Sequence, residues 1–353
     1  MSAQPISTVA IIGAGMVAKT HVLALADLQE KVRLGGVFSR TAENAATLAA
    51  KATADCGYPV ATYPSIDAIC ADNTIDWVIV LTPPNARTEI VSRLAAAGKA
   101  ILLEKPIERD LEAATHIVET CENAGVPLGV VFQHRMRQAS RDMAALVAGG
   151  DLGALAIAEV IVPWWREQSY YDEPGRGTYA RDGGGVLISQ AIHSLDLMLS
   201  LTGPVAEVQT MAHTTILHEM EAEDYVTAGL RFANGAAGSL IASTALFPGA
   251  AESITLHFEQ CVATLQSGEL RLKWRDGRTE LRGESTATGG GADPMAFTHA
   301  WHRDVIADFA DSLRTRTAPA VTGRDALHVH GLITALLQSS DLKRAISVPD
   351  LKD

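Results

Sequence analysis

The chain has 353 residues, enough for two domains at roughly 150 residues each. Hydrophobic residues make up 47% and charged residues 20%, a balance that fills a core and excludes a disordered chain. Twenty-nine Lys and Arg against 41 Asp and Glu give a formal net charge of −12, which argues against nucleic acid as a partner while leaving room for a small anion held by a local cluster.

Residues 1–8 carry no positive charge and no long apolar run, so no signal peptide is expected. No apolar stretch reaches the ~18 residues of a membrane helix, and no membrane partner is expected. Cys56, Cys70, Cys121 and Cys261 form no Cys-x-x-Cys pair and are expected reduced and buried, in a cytoplasmic protein.

Residues 1–130 alternate short Val/Ile/Leu runs, at 8–12, 32–38, 77–81, 100–103 and 126–132, with Ala- and Leu-rich helical stretches at 42–51, 87–97 and 111–124. Continuous apolar strands separated by helices predict a doubly wound parallel α/β sheet of the Rossmann type. Within it, the first strand runs into Gly13-Ala14-Gly15-Met16-Val17-Ala18. Gly13 permits a tight turn, Gly15 lets backbone N–H groups approach a pyrophosphate, and Ala18 is small enough for close helix–strand packing. The helix that follows offers its N-terminus to the phosphates. In that context the turn predicts a dinucleotide site.

After the second strand stands Ser39-Arg40-Thr41, where an NAD site usually places an acid on the adenosine ribose. An Arg between two hydroxyls suits a 2′-phosphate, which points to NADP before NAD. The same Arg40 would also serve by stacking on adenine or by sitting in solvent. The fourth main strand ends in Glu104-Lys105-Pro106, at the edge where open α/β sheets bind ligands. Pro106 fixes the local backbone, and a half-buried Lys105 there can hold a substrate hydroxyl. The bland alternative is a Glu–Lys surface pair at a strand end.

Beyond about residue 150, runs at 154–162, 205–213, 225–232, 236–245, 253–259 and 270–274 read as consecutive strands, with Asn234-Gly235 as a hairpin turn. They predict a second, α+β domain with an open, mostly antiparallel sheet, over 131–353; its C-terminal helix is allowed to return to the first domain. Helices are expected at 186–201, 299–314 and 323–344, and Gly289-Gly290-Gly291 as an exposed loop. In the first of these helices Ser189, His193 and Asp196 fall at i, i+4 and i+7 and share a face, with Gln190 beside them. Three glycines, Gly183 to Gly185, lead into it. A polar stripe on an apolar helix needs partners, either protein groups or a bound polyol.

Taken together, the glycine turn, Glu104-Lys105-Pro106 and the Gly183–Asp196 segment resemble the Gfo/Idh/MocA oxidoreductase family. The resemblance spans the chain, including Gln133 to Arg135 and the tail from Gly323-Arg324-Asp325. It implies a dehydrogenase acting on a sugar, sugar acid, sugar nucleotide or cyclitol with NAD(P), Lys105 orienting the hydroxyl, His193 as acid/base and Asp196 in support. It also implies that Thr82, Pro83, Pro84, Asn85 and Arg87 form a cofactor loop, joined by Glu104, Lys105 and Pro106. Two departures stand out. Arg87 occupies a place where the family often has His, and Ser189 one where it often has an acid, which puts more of the proton handling on Lys105 and His193.

Trp164-Trp165-Arg166, Tyr170-Tyr171 and Arg176 to Arg181 concentrate aromatics and Arg in a chain with only 5% aromatics, a composition suited to stacking on a sugar ring and binding its anionic groups. An aromatic subunit contact is an equal alternative. Substrate residues are expected among Gln133, Arg135, Trp165, Arg166, Tyr179, Ser189, Gln190 and His193. No metal is expected, since His213, His218, His299 and His302 lack Cys or Glu partners at ligand spacing. Two other functions share the fold: transient oxidation by a retained cofactor during sugar elimination or hydrolysis, and ligand sensing without catalysis. A homodimer or homotetramer is expected, with Leu230, Leu240 and Ile254 on an uncovered sheet face.

Overall fold

The computed structural model describes residues 6–286 and 297–351; the first five residues and the Gly289–Gly291 run lie outside the described residues. The chain divides into two units. One holds the chain up to Glu108, with Glu112–Gln133 and His299–Ala326; the other holds Arg109–Leu111, His134–Thr298 and the chain from Leu327 onward.

The first unit alternates β1 (Ser7–Ile12), α1 (Ala18–Ala26), β2 (Val32–Phe38), α2 (Ala42–Cys56), β3 (Ala61–Thr62), α3 (Ile66–Ala71), β4 (Trp77–Val80), α4 (Arg87–Ala96), β5 (Ala100–Glu104), α5 (Leu111–Asn123) and β6 (Leu128–Val131). Its six strands are all parallel, in the order β3-β2-β1-β4-β5-β6. Every residue of β4, β5 and β6 is buried, which is why these strands read as unbroken apolar runs. β3 is two exposed residues, too short to show a period. The order reverses between β1 and β4, so their carboxyl ends frame the crevice where this architecture takes ligands.

The second unit contains α6 (Gln138–Gly149), β7 (Leu155–Pro163), α7 (Gln168–Tyr171), α8 (Ile192–Thr202), β8 (Val205–His213), β9 (Tyr225–Phe232), β10 (Ala237–Ser243), β11 (Ser253–Phe258), β12 (Cys261–Gln266), β13 (Glu269–Trp274) and β14 (Thr279–Gly283). Two helices follow in the chain: α9 (Ala300–Thr315), which belongs to the first unit and packs Phe309 on Trp77 of its sheet at 5.3 Å, and α10 (Gly323–Leu342), before the short β15 (Ile346–Ser347) of the second sheet. The nine strands run β14-β13-β12-β11-β7-β10-β9-β8-β15, antiparallel except for β7 beside β10. Asn234-Gly235 does make the β9–β10 hairpin turn, with Gly235 at φ +89° and Asn234 Oδ1 accepting the Ala236 N–H.

Two expectations are corrected. Leu230, Leu240 and Ile254 do not wait for a second subunit; each is already buried within the chain. The helix expected at 186–201 is not one regular helix. Leu187–Ala191 is a π turn, and the α-helix starts at Ile192. A π turn adds a residue to the repeat, so the i, i+4, i+7 alignment of Ser189 with His193 and Asp196 does not hold through it.

Candidate active site

In the first unit, the site is built from strand ends. Gly13 sits at φ +110°, and a Cβ there would lie 2.9 Å from the Leu81 carbonyl carbon at the end of β4. Its N–H donates to Phe38 O at 2.8 Å, fixing the turn against β2. Only glycine satisfies both the dihedral and the clearance. Gly15 is different: a Cβ there would meet nothing within 4 Å among the described residues. The fold itself therefore does not need glycine at that point, while an incoming pyrophosphate does. Ala14, Met16 and Val17 complete the turn with accessible side chains, and Ala18 is buried as the first residue of α1. Beside the turn, the Thr82 Oγ1 is buried with no hydrogen-bond partner among the described residues, a polar atom suited to a ligand at this crevice. These features fit a dinucleotide. Ser39 is half-buried, while Arg40 and Thr41 are exposed just past β2.

After β4, Pro83 and Asn85 are exposed and Pro84 is buried in a short 3-10 turn. Arg87 is 3% exposed. Its Nε and Nη2 donate to Thr82 O at 2.9 and 2.7 Å, and its Nη1 to the carbonyls of Glu104 and Pro106. A guanidinium so engaged knits two strand-end loops together. Burial lowers its pKa to about 10, against the opposing pull of Glu104 and Glu108.

Glu104 is buried; its Oε1 is 2.9 Å from His21 Nε2 and its Oε2 accepts the Lys105 N–H at 3.0 Å. Burial alone would raise its pKa, but the His21 hydrogen bond, with the Lys105 ammonium nearby, brings it to about 2. Lys105 is half-buried, and its peptide bond to Pro106 is cis. His302 of α9 approaches the same Glu104 Oε1 at 3.7 Å, with its ring edge-on to His21 at 5.1 Å. Burial holds His302 neutral, its pKa pushed down to about 3. His302 thus has Glu and His neighbours in space, although none stands at ligand spacing in the sequence. They lie far off in the sequence, so spacing could not reveal them. Gln133 is also buried, its Oε1 without a partner among the described residues.

In the second unit, the glycine-led turn is forced by close packing. A Cβ on Gly185 would fall 1.8 Å from Glu223 O, and one on Gly183 2.5 Å from Arg109 Cα. The buried Glu223 carboxylate accepts the N–H groups of Gly185 and Leu187, both at 3.1 Å, and so caps the segment that carries Gln190 and His193. His193 stacks on His134, centroids 4.8 Å apart. Asp196 receives two bonds from Arg135, at 2.6 and 2.8 Å, so Arg135 braces α8. Gln190 is 5% exposed; its Nε2 reaches the Tyr170 hydroxyl at 3.4 Å and its Oε1 has no partner among the described residues. Arg176 donates to the same hydroxyl at 2.8 Å and lies over the Tyr170 ring, which Arg166 also approaches. Ser189 is half-buried.

The unit therefore gathers Gln190, Tyr170, Arg166 and Arg176 into one group. It does not bring Trp165 into it: that ring packs on His218 and Phe247. Tyr179 is 47% exposed, near Gly184. Sequence reasoning missed His21, His134 and Glu223. His21 had one available signal, a polar residue on the buried Ala18–Val22–Leu25 stripe of α1.

A 3-2-1-4-5-6 parallel sheet with a glycine turn at its crevice, on a chain with a second open-sheet unit, defines a dinucleotide-dependent oxidoreductase. Residues 7–132 match the family model described as "Oxidoreductase family, NAD-binding Rossmann fold", and residues 140–284 the GFO/IDH/MocA C-terminal domain. The chain belongs to the Gfo/Idh/MocA oxidoreductase family. It is 26% identical to inositol 2-dehydrogenase of Rhizobium meliloti, over 96% of this chain and 98% of that protein. It is 25% identical to D-apiose dehydrogenase of Rhizobium rhizogenes, over 81% and 83% respectively. Among solved structures, the WlbA dehydrogenase of Bordetella pertussis, in complex with NADH and UDP-GlcNAcA, superposes with a TM-score of 0.81 at 26% identity, covering 98% of this chain and 99% of that one.

Proposed function

We propose that this protein is an NAD(P)-dependent dehydrogenase that moves a hydride between nicotinamide and a hydroxyl-bearing carbon of a sugar, sugar acid, sugar nucleotide or cyclitol. The observation that carries this reading is a glycine turn whose Gly15 faces open space, on the same carboxyl edge as a braced Glu104-Lys105-Pro106. Near full-length likeness to inositol 2-dehydrogenase supports it.

When bound, the nicotinamide takes or gives the hydride. Every other duty falls to this chain. Lys105 holds the reacting hydroxyl oxygen, and His193 takes its proton as the carbonyl forms or returns it in reduction. The substrate's remaining hydroxyl and acidic groups go to Gln133, Arg166, Tyr179, Ser189 and Gln190. Of these, the orphaned amide oxygens of Gln133 and Gln190 offer acceptors ready for hydroxyl donors. Arg135, bonded to Asp196, serves best by holding α8.

Ser39-Arg40-Thr41 supports NADP as the favoured nucleotide, because no acid stands there to repel a 2′-phosphate. The NADH of the WlbA complex supports NAD. Arg40→Ala discriminates: if Arg40 reads the 2′-phosphate, kcat/KM falls about tenfold or more with NADPH and little with NADH. Equal effects would assign the site to NAD. We further propose a homo-oligomer in which the outward face of the second unit's sheet meets another copy.

Replacing Lys105 by Met tests the assignment. The expected result is a loss of about a hundredfold or more in turnover with NAD(P)H affinity preserved. Normal turnover in that variant would refute it. Product formed without net nicotinamide reduction would instead mark the elimination chemistry found on this fold.

A further inference from the structure

Helix α1 starts immediately after the nucleotide turn, and His21 lies one turn into it, fully buried. Its Nε2 hydrogen-bonds Glu104 Oε1 at 2.9 Å, and the other oxygen of the same carboxylate holds the backbone N–H of Lys105 at 3.0 Å. One ionised carboxylate thus joins the nucleotide helix to the main chain of the lysine, across 83 residues of sequence. Hydrogen bonds to a charged acceptor in a dry interior are short, directional and strong. Packing alone does not account for the imidazole. A leucine would fill the space without leaving a buried nitrogen unsatisfied, whereas His21 Nδ1 has no hydrogen-bond partner among the described residues.

We propose that the His21–Glu104 pair is a strut through which the nucleotide-binding helix fixes the backbone of Lys105, making His21 a positioning residue for hydride transfer. The inference rests on the dehydrogenase reading above and adds to it a mechanical link between cofactor turn and lysine. Order imposed on α1 by the dinucleotide then reaches Lys105 through two hydrogen bonds.

The test uses His21→Phe, which keeps a ring and removes the donor, and His21→Gln, which keeps a donor. The first readout is amide hydrogen exchange at Lys105 in the cofactor-free, full-length protein. His21→Phe should speed that exchange about tenfold or more, with His21→Gln between it and the unmodified protein. The second readout is kinetic. His21→Phe should lower kcat by about tenfold or more while the Kd for NADH changes little, and should cost nothing further in a Lys105→Met background. Should His21→Phe fail to fold, Glu104→Gln is read in the same way. Unchanged exchange at Lys105, or a kcat loss that persists undiminished without Lys105, would overturn the strut. Absence of any nicotinamide-linked turnover in the unmodified protein would overturn the dehydrogenase reading, and the exchange measurement would still decide the strut.

Discussion

His218 shows how much chemistry single residues hold outside the catalytic machinery. It is buried in the second unit, with Nδ1 2.8 Å from Asp224 Oδ2 and Nε2 2.8 Å from Arg166 O. Both neighbours are acceptors. A neutral imidazole has one donor, so this geometry calls for an imidazolium. Burial works to lower the His218 pKa, but the Asp224 bond and the Arg166 carbonyl prevail and raise it. Burial likewise opposes ionisation of Asp224, whose pKa is nonetheless lowered by His218 and Thr215. The signs follow from linkage. The His218 contribution is complete below its unfolded value of about 6.5 and is lost as pH rises through the higher folded value; that of Asp224 is complete above about 3.9 and is lost as pH falls through its lower folded value. Thermal unfolding of the unmodified protein and of His218→Leu should therefore differ most between about pH 4 and pH 6.5, with the gap narrowing in more alkaline buffer. A gap that widened with rising pH would show His218 to be neutral. At this scale, the sequence displayed residues whose neighbours define them: Lys105 between Glu104 and Pro106, His193 behind three glycines. It concealed His21, His134 and Glu223, because each acts on a group remote in the chain.

At the scale of elements, the segment leading to His193 is the informative one. Its glycines were legible as a close approach, yet what they approach, the Glu223 backbone, was not. The π turn at Leu187–Ala191 also escaped, since periodicity arguments assume a constant pitch. β12, β14 and β15 were missed too: β12 mixes Cys, Ala and Thr into its apolar positions, β14 is strongly polar and β15 has two residues. Glu223→Gln would keep the shape of the cap but remove its charge and one acceptor. Chemical denaturation should show a loss of about 1–3 kcal/mol, with turnover falling as the His193 segment loosens. Gly185→Ala should do more harm, because its Cβ would meet backbone rather than a yielding side chain. If both variants matched the unmodified protein, the capped turn would carry no weight in holding His193.

For the molecule as a whole, strong periodicity made the two-part plan readable: unbroken apolar strands for one sheet, alternating ones for the other. Misjudged was which face of the second sheet is open. Alternation along β7 buries Ala158, Val160 and Val162 and turns Ile157, Glu159 and Ile161 outward; Ile157 is 45% and Ile161 39% exposed. An alternating strand reveals two faces without revealing which one the chain's own helices cover. If the outward face joins copies of this chain, Ile157→Asp combined with Ile161→Asp should reduce the molecular mass by light scattering, with secondary structure retained; an unchanged mass would move the contact elsewhere.

The most direct measurement sets the unmodified protein against polyols, sugar acids and cyclitols with NAD and NADP in parallel, and counts reduced nicotinamide against oxidised product. One nicotinamide reduced per carbonyl formed, lost on Lys105→Met, is the predicted result. No reduction with any such compound, or product accumulating while the nicotinamide stays oxidised, would contradict it.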